Sequence, residues 1–299
     1  MPKPVTLQDA QSLVARGMNA AAVEAYREFL LRFPDHTAAW NGLGLLLRRM
    51  GRTSESEAAI DEAARSEAKK FDDADAVQCF LAAADCSGDA PPSAPAAFIA
   101  KLFDAAAPQF ESLLAGSLSY RGPELLFDAT SRVLGMLKDL DILDLGCGTG
   151  LAGEVFRPAA CRLDGVDLSA GMLERAAAKQ VYDSLVQADV AEHLLQTSER
   201  YDLILAADVL IYVGMLEPVL AGVRRTLRPG GLLAFTAEAM DGEGVRLQPV
   251  RRYAHSRNYL IRAAEEANLA VRSLEENWIR TEATRPVRAW IGVLGADHS

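Results

Sequence analysis

Long apolar runs are missing from this 299-residue chain. No stretch approaches the ~20 residues that a membrane-spanning helix needs, and Met-Pro-Lys-Pro opens nothing resembling a secretion signal. Cysteine and histidine are scarce, at four each. Cys79, Cys86, Cys147 and Cys161 make no C-x-x-C pair and no metal-like cluster with the histidines. A reduced, soluble, cytoplasmic protein holding no metal is therefore expected. Positive charge is also short, with 31 Lys and Arg against 41 Asp and Glu, a net charge of −10. Nucleic-acid binding relies on clustered Lys and Arg, so a nucleic-acid substrate is disfavoured. The pairs Arg224-Arg225 and Arg251-Arg252 are read as solvated faces or loops.

What the chain does have is glycine in one informative place. Asp141-Ile-Leu-Asp-Leu-Gly-Cys-Gly-Thr-Gly150 joins a short apolar run, Ile142 to Leu145, to three glycines. The run has the character of a buried parallel strand. Missing side chains at Gly146, Gly148 and Gly150 let the backbone turn sharply and approach a ligand. A helix beginning near Leu151 would offer free N–H groups. Asp144 falls at the carboxyl end of the strand, where open α/β sheets bind ligands, and could meet a cationic amino group. The segment Gly148-Thr-Gly-Leu-Ala-Gly153 also satisfies the dinucleotide pattern G-x-G-x-x-G, and Asp167 could serve either reading.

The next segments separate the two. Leu163–Asp167 reads as a second strand, with Asp167 placed to accept hydrogen bonds from two ribose hydroxyls. Ser169 caps an expected helix over 170–179, whose inner face starts with Met172 and Leu173. Leu185–Asp189 is a third strand, its terminal carboxylate suited to an exocyclic amine. Tyr201–Asp208 is a fourth, and Arg228-Pro-Gly-Gly231 turns into a fifth, Leu232–Thr236. Four carboxylates thus end four successive strands along one sheet edge.

Over roughly Asp141 to Thr236 these motifs resemble class I S-adenosylmethionine methyltransferases. The resemblance implies a Rossmann-like α/β core with a seven-stranded, mostly parallel sheet. It implies that Gly146, Cys147, Gly148 and Gly150 wrap the methionine part of S-adenosyl-L-methionine, with Cys147 contributing its backbone. Asp167 would hold the ribose, Leu168 and Met172 would pack on the adenine, and Asp189 with Val190 would cap its edge. Met172 could equally be core.

The first third of the chain is a different object. Thr6 to Asp85 is alanine-rich and aligns with itself at an offset of 34, Gly17 falling on Gly51, Leu13 on Leu47, and Tyr26 on Ile60. That is the tetratricopeptide period. Trp40, Leu43, Gly44 and Leu47 resemble the first helix of such a repeat, and Ala22, Tyr26, Phe29 and Pro34 the second helix of the one before. Two repeats and a further helix at 73–85 are expected. This all-α, TPR-like module is placed at 1–86, and it either binds a protein partner or serves self-association or packing.

Ser87 to Pro95 reads as linker, drawn as 87–97. The remainder, 98–299, is assigned to the catalytic domain: lid and N-terminal helices at 98–137, core at 138–299. Phe103-Asp-x-x-Ala107 followed by Leu118-x-Tyr-Arg-x-Pro123 resembles the segment preceding the core in TPR-containing methyltransferases. It implies a lid over the cofactor, with Tyr120 and Arg121 near its carboxylate or sulfonium; either residue could instead anchor the helix junction. Arg252-Tyr-Ala-His-Ser-x-x-Tyr259 and Arg280-Thr-Glu-x-x-x-Pro-Val287 resemble the same family. The long segment Glu238 to His255 is expected to line the substrate pocket, Ser256 to cap a helix over 257–267, and the last two strands to run over 269–278 and 287–294.

Transfer of an activated methyl group requires mainly an acceptor held in line, helped by a base if a proton must leave. Asp208, Tyr212 and His255 are the catalytic candidates, and Asp208 could instead contact the cofactor. No Asn-Pro-Pro-Tyr element follows Asp208, which disfavours planar amino groups as acceptors. The leading expectation is methyl transfer to an O or N atom of a small metabolite. The alternative is a protein or peptide methyltransferase recruiting its substrate through the repeats; a third reading is a cofactor-binding protein without transfer activity.

Overall fold

The computed structural model describes residues 4–86, 90–282 and 284–296. The chain divides into two compact units, residues 1–91 with 249–251, and residues 92–248 with 252–299. Among the described residues no helix is long and apolar enough to cross a membrane.

The first unit is built from α1 (Leu7–Ala15), α2 (Asn19–Arg32), α3 (Thr37–Arg49), α4 (Thr53–Ala68) and α5 (Ala74–Cys86). Thr6 starts α1 with a reciprocal capping box: its hydroxyl accepts the Asp9 N–H while the Asp9 carboxylate accepts the Thr6 N–H. Gly17 and Gly51, one period apart, both follow helices with φ near +73° and +74°, a left-handed conformation that glycine adopts without strain. A Cβ on Gly44 would stand 2.8 Å from the Ile60 side chain; the small residue lets α3 and α4 cross closely. Ala10, Ala22, Val23, Leu43 and Leu47 fill the space between the helices.

The second unit is a twisted sheet with helices on both faces. Its helices are α6 (Ala96–Ala106), α7 (Phe110–Leu113), α8 (Gly122–Leu134), α9 (Leu151–Phe156), α10 (Ala170–Lys179), α11 (Val190–Gln196), α12 (Glu217–Thr226) and α13 (Arg257–Glu266). Its strands are β1 (Leu140–Leu145), β2 (Ala160–Asp167), β3 (Ser184–Gln187), β4 (Tyr201–Ala206), β5 (Leu227–Ala239), β6 (Val245–Leu247), β7 (Tyr253–His255), β8 (Ala270–Glu282) and β9 (Arg285–Gly295). Five strands run parallel in the order β3-β2-β1-β4-β5; β9 lies antiparallel beside β5 and β8 antiparallel beside β9. That makes the expected seven-stranded, mostly parallel sheet. Two short strands are added, because β7 pairs with β5 only at Glu238 and Ala239 and β6 folds back on β7. The long segment expected to line the substrate pocket is thus partly sheet, and Arg252 is the residue of it that lines the cavity described below.

Side-chain alternation explains why both faces are covered. Leu143, Leu145, Ile204, Ala206, Leu233 and Phe235 join α11, α12 and α13 in one core. Their neighbours Ile142, Leu203, Leu205, Leu232 and Ala234 join Leu125, Leu126 and Phe156 of α8 and α9 in the other. Strands buried on both faces read as continuous apolar runs, as β1 and β4 do.

Part of the expected linker is held by hydrogen bonds. Residues 87–89 lie outside the described residues, while 92–95 are tied down: Ser93 bridges Val213, the Ala94 N–H reaches the Tyr212 carbonyl, and the Pro92 carbonyl accepts the Gly214 and Met215 N–H groups. These backbone hydrogen bonds bring 92–95 to the edge of the cavity described next.

Candidate active site

At the carboxyl end of β1 the chain passes through Gly146, Gly148 and Gly150 with φ of +62°, +54° and +92°. A Cβ on Gly146 would lie 2.3 Å from a Val209 methyl group, so the glycine is required sterically as well as conformationally. Backbone hydrogen bonds pin the turn, Cys147 N to Val166 O at 3.0 Å and Gly150 N to Cys147 O at 2.9 Å. Asp167, at the end of β2, accepts the Gly148 N–H through Oδ2 (2.9 Å) and the Ser169 N–H through Oδ1 (2.8 Å). Each carboxylate oxygen has a second lone-pair direction, and Asp167 faces the cavity.

That cavity encloses about 270 Å3 at the carboxyl edge of the sheet. One end is bounded by Asp144, Gly146, Cys147, Gly148, Asp167, Leu168, Met172, Asp189 and Val190. Asp189 also caps α11, its Oδ1 accepting the Ala191 and Glu192 N–H groups. Met172 is 1 % exposed and lines the cavity as well as the core. The Cys147 thiol is pushed up by burial and by the neighbouring Asp144 and Asp167 charges, which makes it a poor nucleophile.

Asp144 is the unusual group. It is 1 % exposed. Its Oδ2 accepts the Tyr182 hydroxyl at 2.7 Å, and its Oδ1 is buried with no hydrogen-bond partner. Burial, partly offset by the Tyr182 hydrogen bond, and the Asp167 charge push its pKa up to about 7. A buried carboxylate oxygen without a donor is costly unless a ligand supplies one.

The other end of the cavity is roofed by Ile99, Phe103, Phe110, Leu114, Leu118 and Tyr120 from α6 to α8. Phe103 stands edge-on to Tyr212, with ring centroids 5.5 Å apart. Asp104 fastens α6 to α10 by accepting the Ser169 hydroxyl and the Gly171 N–H. Beneath the roof lie Asp208, Tyr212, Arg252, Arg280 and Glu282. Arg280 is 3 % exposed. Its guanidinium donates to Asp208, Glu238 and Glu282, and Arg252 donates to Glu238 and Glu282 at 2.7 Å. Two guanidiniums and three carboxylates form one network.

Of the residues singled out from sequence, Tyr120, Asp144, Gly146, Cys147, Gly148, Asp167, Leu168, Met172, Asp189, Val190, Asp208 and Tyr212 line this one cavity. Three do not. Arg121 turns outward, its guanidinium 4.3 Å over the Trp278 ring and its N–H on the Ile279 carbonyl; it anchors a helix start. Gly150 sits behind the turn as the residue before α9, packed towards Tyr182. His255 is fully buried, with Nε2 on the carbonyls of Val213 and Gly214 and its ring stacked on Tyr259. Burial lowers its pKa to about 4, so its ring is uncharged at neutral pH. Tyr212 is raised to about 12 by burial, so its hydroxyl keeps its proton at neutral pH.

Missed from the sequence are Tyr182, Asp104 and the roles of Glu238, Arg252, Arg280 and Glu282. Arg280 and Glu282 left a signal, since charges two apart on a strand share one face.

The sheet order and the glycine turn facing Asp144 and Asp167 define a Rossmann-like methyltransferase fold. Comparison with known proteins agrees: residues 143–233 match the model of a methyltransferase domain and residues 7–73 that of a tetratricopeptide repeat. The chain therefore carries a methyltransferase domain preceded by tetratricopeptide repeats. It is similar to a malonyl-[acyl-carrier protein] O-methyltransferase of Enterobacter lignolyticus, 38% identical over 100 residues, 33% of this chain and 39% of the relative. A ubiquinone biosynthesis O-methyltransferase of Nitrobacter winogradskyi is 34% identical over 110 residues, covering 36% and 42% of the two chains. Human methyltransferase-like protein 27 is 34% identical over 141 residues, 45% and 55%. The chain spans about half or less of the length of these relatives. Among solved structures, the 1,6-didemethyltoxoflavin-N1-methyltransferase of Burkholderia thailandensis, crystallised with S-adenosylhomocysteine, aligns with a TM-score of 0.56 at 18% identity over 70% of this chain and 93% of its own. That likeness is one of fold.

Proposed function

We propose that the second unit is an S-adenosylmethionine-dependent methyltransferase acting on an O or N atom of a small metabolite. The observation that carries this is the partnerless Asp144 Oδ1, held beside the glycine turn in the cavity that Asp167 and Asp189 also line. An ammonium group supplies what that oxygen lacks. In this reading Asp144 meets the methionine ammonium, Asp167 the ribose hydroxyls and Asp189 the adenine edge, with Leu168, Met172 and Val190 against the ring. The cofactor, once bound, supplies a methyl group on a sulfonium, ready for in-line displacement. The chain's part is to hold an acceptor in line under Phe103, Tyr120 and Tyr212, and to exclude water with the α6–α8 roof. Asp208 is the carboxylate on the acceptor side; Tyr212, keeping its proton, donates. Two similar proteins are named for O-methyl transfer, which favours oxygen.

The test is transfer of a labelled methyl group from S-adenosylmethionine into whole-cell extract, which is then split into small-molecule and macromolecular fractions. Label must appear in low-molecular-weight products; label confined to protein would overturn the acceptor class.

Two further outcomes are expected. Asp167→Ala weakens S-adenosylhomocysteine binding by at least ~1.5 kcal/mol, because charge-assisted hydrogen bonds are lost, as read by calorimetry. Binding also depends on pH. The folded pKa of Asp144, about 7, exceeds its ordinary 3.8, so the stability this carboxyl contributes when protonated is lost as pH rises through 7. A bound ammonium favours the ionised form. Affinity should therefore rise with pH by up to about tenfold per unit below 7 and flatten above it. A flat profile between pH 6 and 8 would remove Asp144 from the ammonium site.

A further inference from the structure

Tyr182 lies on the short connection between α10 and β3, outside the cavity wall. Its hydroxyl donates to Asp144 Oδ2 at 2.7 Å, which leaves Asp144 Oδ1 as the oxygen without a partner. Three glycines make room for its ring. A Cβ on Gly153 would stand 2.4 Å from the Tyr182 hydroxyl oxygen, one on Gly150 3.1 Å from the ring, and one on Gly165 3.1 Å from it. The third glycine of the pattern Gly148-x-Gly150-x-x-Gly153 thus has a side-chain reason to be there: it is the notch for a phenol, on the first turn of α9.

We propose that Tyr182 is a positioning residue for the cofactor's ammonium, acting through Asp144, with Gly150, Gly153 and Gly165 as its seat. By holding one carboxylate oxygen, the phenol fixes the rotation of the group and commits the other oxygen to the ligand. The proposal rests on the cofactor reading above. The charged and titratable groups facing Asp144 are Tyr182, Asp167, Cys147 from the glycine turn, and Tyr120 from the roof. Tyr182 is the one that gives it a hydrogen bond. Its removal therefore raises the pH at which the carboxyl ionises, since a hydrogen bond to the charged form is lost.

The experiment compares two ligands on the full-length protein by calorimetry between pH 6 and 9. S-adenosylhomocysteine carries the ammonium; 5′-methylthioadenosine shares the adenosine and thioether and lacks it. Tyr182→Phe should weaken S-adenosylhomocysteine about tenfold near pH 7.5, with the loss shrinking towards pH 9, and should change 5′-methylthioadenosine less than about twofold. Gly153→Ala, which displaces the phenol, should give the same selective loss should the phenylalanine variant fail to fold. Equal losses for both ligands would make Tyr182 a packing residue and overturn the proposal, as would no loss for either. If the unsubstituted protein binds neither ligand, the cofactor reading itself fails, and this inference with it.

Discussion

Arg280→Gln should destabilise the second unit by about 3–5 kcal/mol, the cost of breaking a buried ion pair by removing one partner. The arginine is 3 % exposed and Glu238 4 %. Without it, Asp208, Glu238 and Glu282 are left with Arg252 as the remaining guanidinium of the network. Against the opposing effect of burial, Arg280 and Arg252 hold Glu282 below the usual carboxylate range. The substitution removes one of those partners, so the deficit should shrink as pH is lowered from 8 to 5. Arg280→Lys should recover part of the loss, because a point charge cannot reproduce three directed hydrogen bonds. Urea denaturation at the two pH values reads both effects. A loss below about 1 kcal/mol at pH 8, or one independent of pH, would mean that Arg252 alone balances the three carboxylates.

Gly146→Ala should weaken S-adenosylhomocysteine binding by about 2–3 kcal/mol, ~30 to ~150-fold. At φ +62° an alanine is strained, and its methyl would meet Val209 at 2.3 Å. Relief requires moving either the turn or Val209, and both line the cavity. Gly135→Ala is the control. Its φ is +80°, but nothing lies within 4 Å of the added carbon and it does not line the cavity. It should cost stability and leave binding alone. Calorimetry on both variants checks this; equal effects on binding would make backbone strain, rather than the shape of the turn, the cause.

The parts legible in the sequence are those set by neighbours along the chain. β1, β2 and β4 announce themselves as largely apolar segments closing on Gly or Asp, and β5 as an apolar run opened by Pro-Gly-Gly. Ser169 and Ser256 were expected as caps, and they accept the Met172 and Tyr259 N–H groups at 3.1 and 3.2 Å. The parts that were not legible depend on residues far apart. Glu238 meets Arg280 across 42 positions and Tyr182 meets Asp144 across 38, and no local period encodes either pairing. β6 and β7 are three residues each; β7 is held as a strand by the end of β5, and β6 by β7. His255 and Arg121 misled through residue type. A histidine before a helix suits a base and an arginine beside a tyrosine suits a cofactor carboxylate, but here carbonyls and a tryptophan ring take them.

The central claim is that this cavity takes S-adenosylmethionine with its ammonium on Asp144. Its most direct test is calorimetric titration of the full chain with S-adenosylhomocysteine near pH 7, in buffers of different ionisation enthalpy. Saturable binding of one ligand per chain is expected, with proton release that disappears in Asp144→Asn. Absence of saturable heat, or binding whose proton release survives that substitution, would contradict it.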